Sequence, residues 1–315
     1  MSTIIFIFLV ILLGFLTGQI LYRKASINLD KIKLFTTFLA MRFTIPLSVM
    51  LAIWQLDIQS WSLIWLPIFG ISILLSGFLI GWSVSKTFRL PNIQRAVVAP
   101  AGAFTNIGAI GSLVIFVYLG ETAFALVPLF KLLEEFFYFG CLFPYAEQFS
   151  SLKNLKKRAL WKDPTLQAMF AALTIGTTLN FTEVIRPDWF KDLTSVLIPL
   201  GTFSMMISVG LVFRFKTILQ HWKVALALSL SKQMLLPVIA YFLVILTGQA
   251  DAYDGLILQI AVLIGSMPIA FIVILPAAIY KLDQDLANSC WVMSSLVFLI
   301  MLPFYSYFLV WLYLN

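Results

Sequence analysis

Apolar residues run in long blocks separated by short polar stretches. Ten blocks approach the roughly 20 residues that a membrane-spanning helix needs: 3–22, 34–53, 61–84, 95–118, 122–147, 163–181, 193–213, 223–248, 252–279 and 285–313. The predicted fold is all-α and integral to a membrane, with connections too short to hold a soluble domain. The first block has no basic region ahead of it and is followed by Arg23 and Lys24. That pattern predicts an uncleaved first helix that exports its N-terminus.

One block is interrupted. Residues 99–111 read APAGAFTNIGAIG, which crowds Pro100, Gly102, Gly108 and Gly111 around Thr105 and Asn106. Proline removes a backbone bond, and glycine costs about 1 kcal/mol in a helix interior. Broken backbone at bilayer depth survives only when it is buried in protein or lines a watery cavity. The stretch is therefore expected to be a discontinuous helix beside a substrate path.

Composition agrees with a membrane protein: 61% of residues are hydrophobic and 11% charged. Cys141 and Cys290 both lie in apolar blocks, so neither a disulfide framework nor a zinc site is indicated. The net charge of +7 is a topology signal, because its lysines and arginines concentrate in odd-numbered loops. Those loops hold Arg23, Lys24, Lys31 and Lys33; Lys86, Arg89 and Arg95; Lys153, Lys156, Lys157, Arg158 and Lys162; Arg214, Lys216 and Lys223; and Lys281. Even-numbered loops carry Arg186 and Lys191. The positive-inside rule places the odd loops in the cytoplasm and both termini outside. No nucleic-acid partner is implied. Trp54, Trp61, Trp65, Trp161, Trp189, Trp222 and Trp311 lie near block ends, as an interfacial belt would.

The chain also repeats itself. Residues 43–48, FTIPLS, resemble residues 196–201, VLIPLG, and the exit VYLGE at 117–121 resembles IYKLD at 279–283. Setting Tyr118 on Tyr280 sets Asn106 on Pro268, so a second breaker-rich stretch, Gly265 to Ala270, stands in register with the first. Pro276 follows it in the same block. The two halves, 1–150 and 151–315, each hold five blocks. An odd number forces opposite orientations, and inverted repeats with breaks in matching positions are the signature of a secondary transporter.

On these motifs the chain resembles the auxin efflux carrier family of ten-helix transporters, which has bacterial malate-permease-like members. That family's first crossover reads approximately N-T-G-F-x-G-L-P. Here Asn106, Gly108 and Gly111 match it, while Ile107 and Leu113 depart, leaving Pro100 as the breaker. The second crossover resembles Ser266, Met267, Pro268 and Ala270 with the Tyr280 and Asp283 exit. Pro199, Gly201, Ser208 and Gly210, and Lys232 with Pro237, also fit. The resemblance implies a bile-acid-symporter-like fold with crossed discontinuous helices four and nine. Segments one, two, six and seven would form a scaffold; segments three to five and eight to ten would form a transport core. It further implies organic-anion cargo and a homodimer.

The residues make a separate case for anion handling. Half-helix N-termini suit a carboxylate, and C-terminal carbonyls suit a cation. Asn106 either contacts substrate or caps a broken helix; Thr105, Ser112 and Ser266 either add hydroxyl contacts or bond the preceding turn. Lys131, Glu134 and Glu135 sit at i, i+3 and i+4, close enough for an internal ion pair. Either glutamate is a protonatable coupling site, or the trio is a static network holding helices in register. Lys232 or Lys131 would balance the substrate anion, and Arg42 is read as reaching the cytoplasmic interface.

The expected function is a secondary transporter of small carboxylates, proton-coupled or facilitated. Alternatives are a sodium-coupled bile-acid-type symporter, and a channel or sensor on a transporter fold. No enzyme activity, cofactor or metal is expected. The short loops point to a bacterial inner membrane.

Overall fold

The computed structural model describes residues 2–23, 28–56, 58, 61–150, 164–182, 184–213 and 220–314. Among them the helices in order are α1 (Ser2–Arg23), α2 (Leu29–Phe38), α3 (Ile45–Trp54), α4 (Trp65–Thr87), α5 (Asn92–Ala103), α6 (Ser112–Phe130), α7 (Glu134–Phe137), α8 (Phe143–Glu147), α9 (Pro164–Phe181), α10 (Trp189–Val212), α11 (Trp222–Leu246), α12 (Leu256–Ser266), α13 (Ile274–Ile279) and α14 (Gln284–Leu314). Wide π-helical turns at Leu39–Thr44, Ile107–Gly111 and Tyr138–Leu142 interrupt the regular winding. The basic residues Lys24, Lys153, Lys156, Lys157, Arg158, Lys162, Arg214 and Lys216, and Trp161 of the expected belt, lie outside the described residues.

The protein is an all-α membrane protein. Seven helical stretches among the described residues are long and apolar enough to cross a bilayer, against ten expected blocks. The differences have local causes. Ile107–Glu147 is one apolar run of 41 residues, and it turns at Gly120, whose φ of 83° is open only to a residue without a Cβ. α9 is not among the seven; its 18 residues include Gln167, Thr174, Thr177, Thr178 and Asn180. The ninth block is divided by a break, leaving α12 as a short apolar helix.

The chain forms two compact bodies. The first comprises Met1–Ser60, Gly108–Pro128 and Lys157–Phe213. In it α1 packs on α10 through small residues: a Cβ on Gly14 would fall 2.7 Å from the Phe203 carbonyl, and one on Gly18 would collide with the Ile207 carbonyl. With lipid tails as apolar as leucine, such close backbone approach is what holds membrane helices together. Gln19 Nε2 donates to the carbonyls of Gly210 (2.6 Å) and Phe213 (3.2 Å), satisfying acceptors at the end of α10. Asn180 Nδ2 does the same for α3, donating to Ile53, Trp54 and Leu56 carbonyls at 3.1, 3.1 and 2.6 Å.

Arg186 belongs to this body and changes its reading. Read from the sequence as an outward loop charge, its side chain is 1% exposed and forms a two-pronged bond with Glu121, Nη1–Oε1 2.6 Å and Nη2–Oε2 2.9 Å. Nη1 also donates to the Leu51 carbonyl at 2.7 Å. The pair clips the Gly120 turn to the loop ahead of α10.

The second body comprises Trp61–Ile107, Leu129–Lys156 and Arg214–Asn315. α4 lies against α5 with Gly77 and Gly81 facing Val98, Ala99 and Gly102 backbone. α11 packs on α12 and α14, and a Cβ on Gly265 would sit 2.9 Å from the Leu236 carbonyl oxygen. Pro237 inside α11 has no N–H for the carbonyl of Gln233, four residues back; the Tyr305 hydroxyl donates to that carbonyl instead, at 3.3 Å. The break in one helix bond is thus repaired from α14.

Candidate functional site

Two helices of the second body stop inside the protein, and their loose ends pair. α5 ends at Ala103, and Phe104 leaves the helical region at ψ 113°. α12 ends at Ser266, with Met267 at ψ 146° and Ala270 at ψ 145°. Thr105 and Ile269 form an isolated antiparallel bridge. Asn106 N donates to the Pro268 carbonyl at 2.9 Å, and Ala270 N donates to the Phe104 carbonyl at 3.2 Å. Backbone groups that a helix would have satisfied are satisfied across the break, as burial requires.

The two breaks differ in cause. Pro268 pushes the residue before it out of the α region, so α12 is broken by its own sequence. In α5 the breakers lie upstream of the break. Pro100 sits in helical backbone and its carbonyl accepts from Phe104 N at 3.0 Å. Gly102 also lies within α5, where it allows α4 to approach. The opening at Phe104 to Asn106 is held by partners instead. Thr105 N donates to the Tyr138 hydroxyl at 3.1 Å, and Thr105 Oγ1 donates to the Ala103 carbonyl at 3.0 Å. Gly108 and Gly111 fall in the π-helical turn that follows. Pro276 is the third residue of α13, in the first turn, where its missing N–H costs nothing.

Lys232, fully buried, reaches the same place from α11. Its Nζ donates to Thr105 Oγ1 at 2.7 Å, to the Gly102 carbonyl at 3.0 Å and to the Phe104 carbonyl at 3.3 Å. An ammonium has three donors, and here each has an oxygen. Lys232 therefore spends its hydrogen bonds on the open end of α5.

From Thr105 a chain of polar contacts runs outward. Tyr138, 2% exposed, donates its hydroxyl to Glu134 Oε1 at 2.6 Å. Glu134 is 3% exposed, and its Oε2 lies 3.0 Å from Lys131 Nζ, which keeps partial exposure. Lys131 and Glu134 flank a turn between α6 and α7, closed by Glu134 N to the Lys131 carbonyl at 2.8 Å. Of the two glutamates, Glu134 joins the buried chain and Glu135 stays half-exposed. The order Lys131, Glu134, Tyr138, Thr105, Lys232 links a half-exposed cation to a fully buried one.

Tyr138 is absent from the residues singled out in the sequence. Its signal was its place one helical turn after Glu134 in an apolar block. Tyr138→Phe leaves Glu134 Oε1 and the Thr105 amide each short of a partner, at about 1–3 kcal/mol for a buried orphan. Purified variant protein should melt several degrees below the parent; an unchanged melting temperature would remove Tyr138 from the framework of the break.

The other candidates are placed as follows. Asn106 and Ser266 are buried in the second body. Ser266 Oγ donates to the Leu263 carbonyl at 2.7 Å, the back-bonding common for serine in apolar helices. Gly108 and Ser112 belong to the first body. Gln233 and Ser294 were also missed: Gln233 Nε2 donates to the Ser294 carbonyl at 2.6 Å, and Ser294 Oγ accepts from Ile269 N at 2.9 Å. The neighbouring pair Lys232 and Gln233 in an apolar block was a readable signal. Ser294 had none that set it apart from other helical serines.

No family model matches the chain, and no curated protein matches it either. Its apolar helical bundle is that of a transporter-like membrane protein.

Proposed function

We propose that the chain is a secondary carrier of small organic anions, carboxylates of auxin or malate type, working by alternating access with proton coupling or none. The observation that carries this reading is the pairing of two opened helices, with a buried ammonium on the open end of one of them. Helix interruptions at depth are costly, and carriers use them to bring backbone dipoles to a substrate. The register that sets Tyr118 on Tyr280 sets Asn106 on Pro268, and these two residues share a hydrogen bond. A two-fold axis relating inverted five-helix repeats would pass through that bond, which favours ten spans with crossed fourth and ninth helices. The chain is accordingly proposed as a member of the auxin efflux carrier family it resembles.

In this reading the second body is the transport core, and the first body is the scaffold and dimer surface. Asn106, Thr105 and Pro268 would meet the carboxylate, with Gly108, Ser112 and Ser266 nearby in sequence. Lys232 would supply positive field, and Glu134 with Lys131 would carry or buffer the coupling proton. The carrier would sit in a bacterial inner membrane with both termini outside.

The test is a panel of labelled mono- and dicarboxylates, read first as thermal stabilisation of purified protein and then as uptake into proteoliposomes. At least one carboxylate should stabilise the parent, and Asn106→Ala should lose that stabilisation while melting near the parent temperature without ligand. A panel with no stabilising member, together with no uptake, would reject the carrier reading. Unchanged ligand stabilisation in Asn106→Ala would remove Asn106 from the site.

A further inference from the structure

The end of α5 is built like a cation site, and a lysine fills it. The final carbonyls of any helix lack intrahelical donors and carry the negative end of its dipole. At this end the carbonyls of Gly102 and Phe104 converge with Thr105 Oγ1 on a single point, and that point is Lys232 Nζ, at 3.0, 3.3 and 2.7 Å. All three ligands are neutral oxygens, the donor set that unwound helix ends in carriers offer to monovalent metal ions. Among the described residues, no carboxylate is hydrogen-bonded or ion-paired to the ammonium. The closest one in the chain of contacts, Glu134, is separated from it by Tyr138 and Thr105.

We propose that Lys232 is a tethered substitute for a coupling cation, and that removing its ammonium turns the same three oxygens into a binding site for Na⁺ or K⁺. The physical argument rests on what the oxygens need. Gly102 is packed backbone to backbone on Gly77 and Gly81, so its carbonyl cannot turn away to find another donor. The Phe104 carbonyl already accepts from Ala270 N, which ties it to the pairing of the two breaks. Without the ammonium the buried Gly102 carbonyl loses its donor, while the Phe104 carbonyl keeps only its bond from Ala270 N, and a buried acceptor stripped of its partner is destabilising. A cation from solution can supply the missing charge only when the space is open and the tether gone. The native protein thus keeps the cation in place through its whole cycle and has no sodium to release. The binding part of this inference stands on the geometry alone; only its consequence for coupling rests on the carrier reading above.

The experiment compares three variants and the parent in NaCl, KCl and choline chloride at equal ionic strength, with melting temperature as readout and no organic substrate present. Lys232→Ala opens an oxygen-lined space and Lys232→Ser adds a fourth oxygen. Lys232→Met fills the volume without charge. Lys232→Ala and Lys232→Ser should melt several degrees higher in NaCl or KCl than in choline chloride, saturably with salt. The parent and Lys232→Met should melt alike in all three. The proposal fails if folded Lys232→Ala and Lys232→Ser are indifferent to the cation. It also fails if neither folds in any salt while Lys232→Met does, because an apolar plug would then serve where a cation should. If no variant folds, the parent decides: a melting temperature that rises with Na⁺ or K⁺ over choline overturns the idea that the site carries its own cation. These outcomes do not depend on organic anions, so a failed carboxylate screen leaves them readable.

Discussion

Replacing Glu121 by alanine is expected to cost about 3–5 kcal/mol, the range found when one partner is deleted from a buried ion pair. The size follows from what remains. Arg186 would keep its Leu51 bond but lose both prongs to the carboxylate, with its side chain only 1% exposed. A guanidinium cannot shed its proton to escape burial. The reciprocal change, Arg186→Ala, should cost less, because Glu121 retains 16% exposure and its carboxylate can still be hydrated. The double variant should then fall well short of the sum of the two, which is the mark of direct coupling. Denaturant titration or thermal melting of the four proteins gives the cycle. Costs below about 1 kcal/mol for both single variants would show that the pair is effectively solvated, and the clip at the Gly120 turn would lose its role.

The helical class and the two interrupted segments were legible in the sequence, because apolar block length and breaker density are local properties. The position of each break was legible only in part. Pro268 acts on its immediate neighbour, so the second break lies where its sequence puts it. The first lies downstream of Pro100 and Gly102, because its amides are drawn out of the helix by Tyr138 and by the Pro268 carbonyl. Those partners are remote in sequence, and no local pattern announces them. The same holds for Arg186, whose loop context read as exposure until Glu121 and Leu51 were brought beside it. The cluster at Lys131 and Glu134 was legible as an ion pair, since i and i+3 are neighbours on any helical turn. Its extension through Tyr138 to the break required the fold.

Span counting shows the other limit. The gap between the blocks ending at 118 and beginning at 122 is where the chain turns, on the positive φ of Gly120, although length and apolarity alone join Ile107–Glu147 in one run. In the ninth block, hydropathy remains high through a stretch where the backbone is not helical. Apolar length counts residues that can lie in lipid; backbone geometry decides where a span begins and ends.

Gly102→Val is expected to abolish stable folding of the second body, and Gly102→Ala to separate two meanings of this glycine. If Gly102 were a helix breaker, alanine would stabilise α5 by about 1 kcal/mol through its better propensity. The packing says otherwise. A Cβ at Gly102 would strike the Gly77 carbonyl oxygen and lie 2.9 Å from Gly81 N and 3.0 Å from Gly77 C. All three are backbone atoms that cannot swing aside as a side chain would. Overpacking in a tight core costs about 1–3 kcal/mol and sometimes more, so the loss outweighs the propensity gain already with alanine. Separating α4 from α5 would also carry the Gly102 carbonyl away from Lys232, taking one of the buried ammonium's three oxygen partners. Valine, with two further methyl groups, should leave little folded protein in detergent. Gly140→Ala serves as the control, since a Cβ there meets nothing within 4 Å and should be tolerated. A Gly102→Ala protein that melts at or above the parent temperature would show that the contact between α4 and α5 can relax. The fixed carbonyl on which the cation argument rests would then be lost as well.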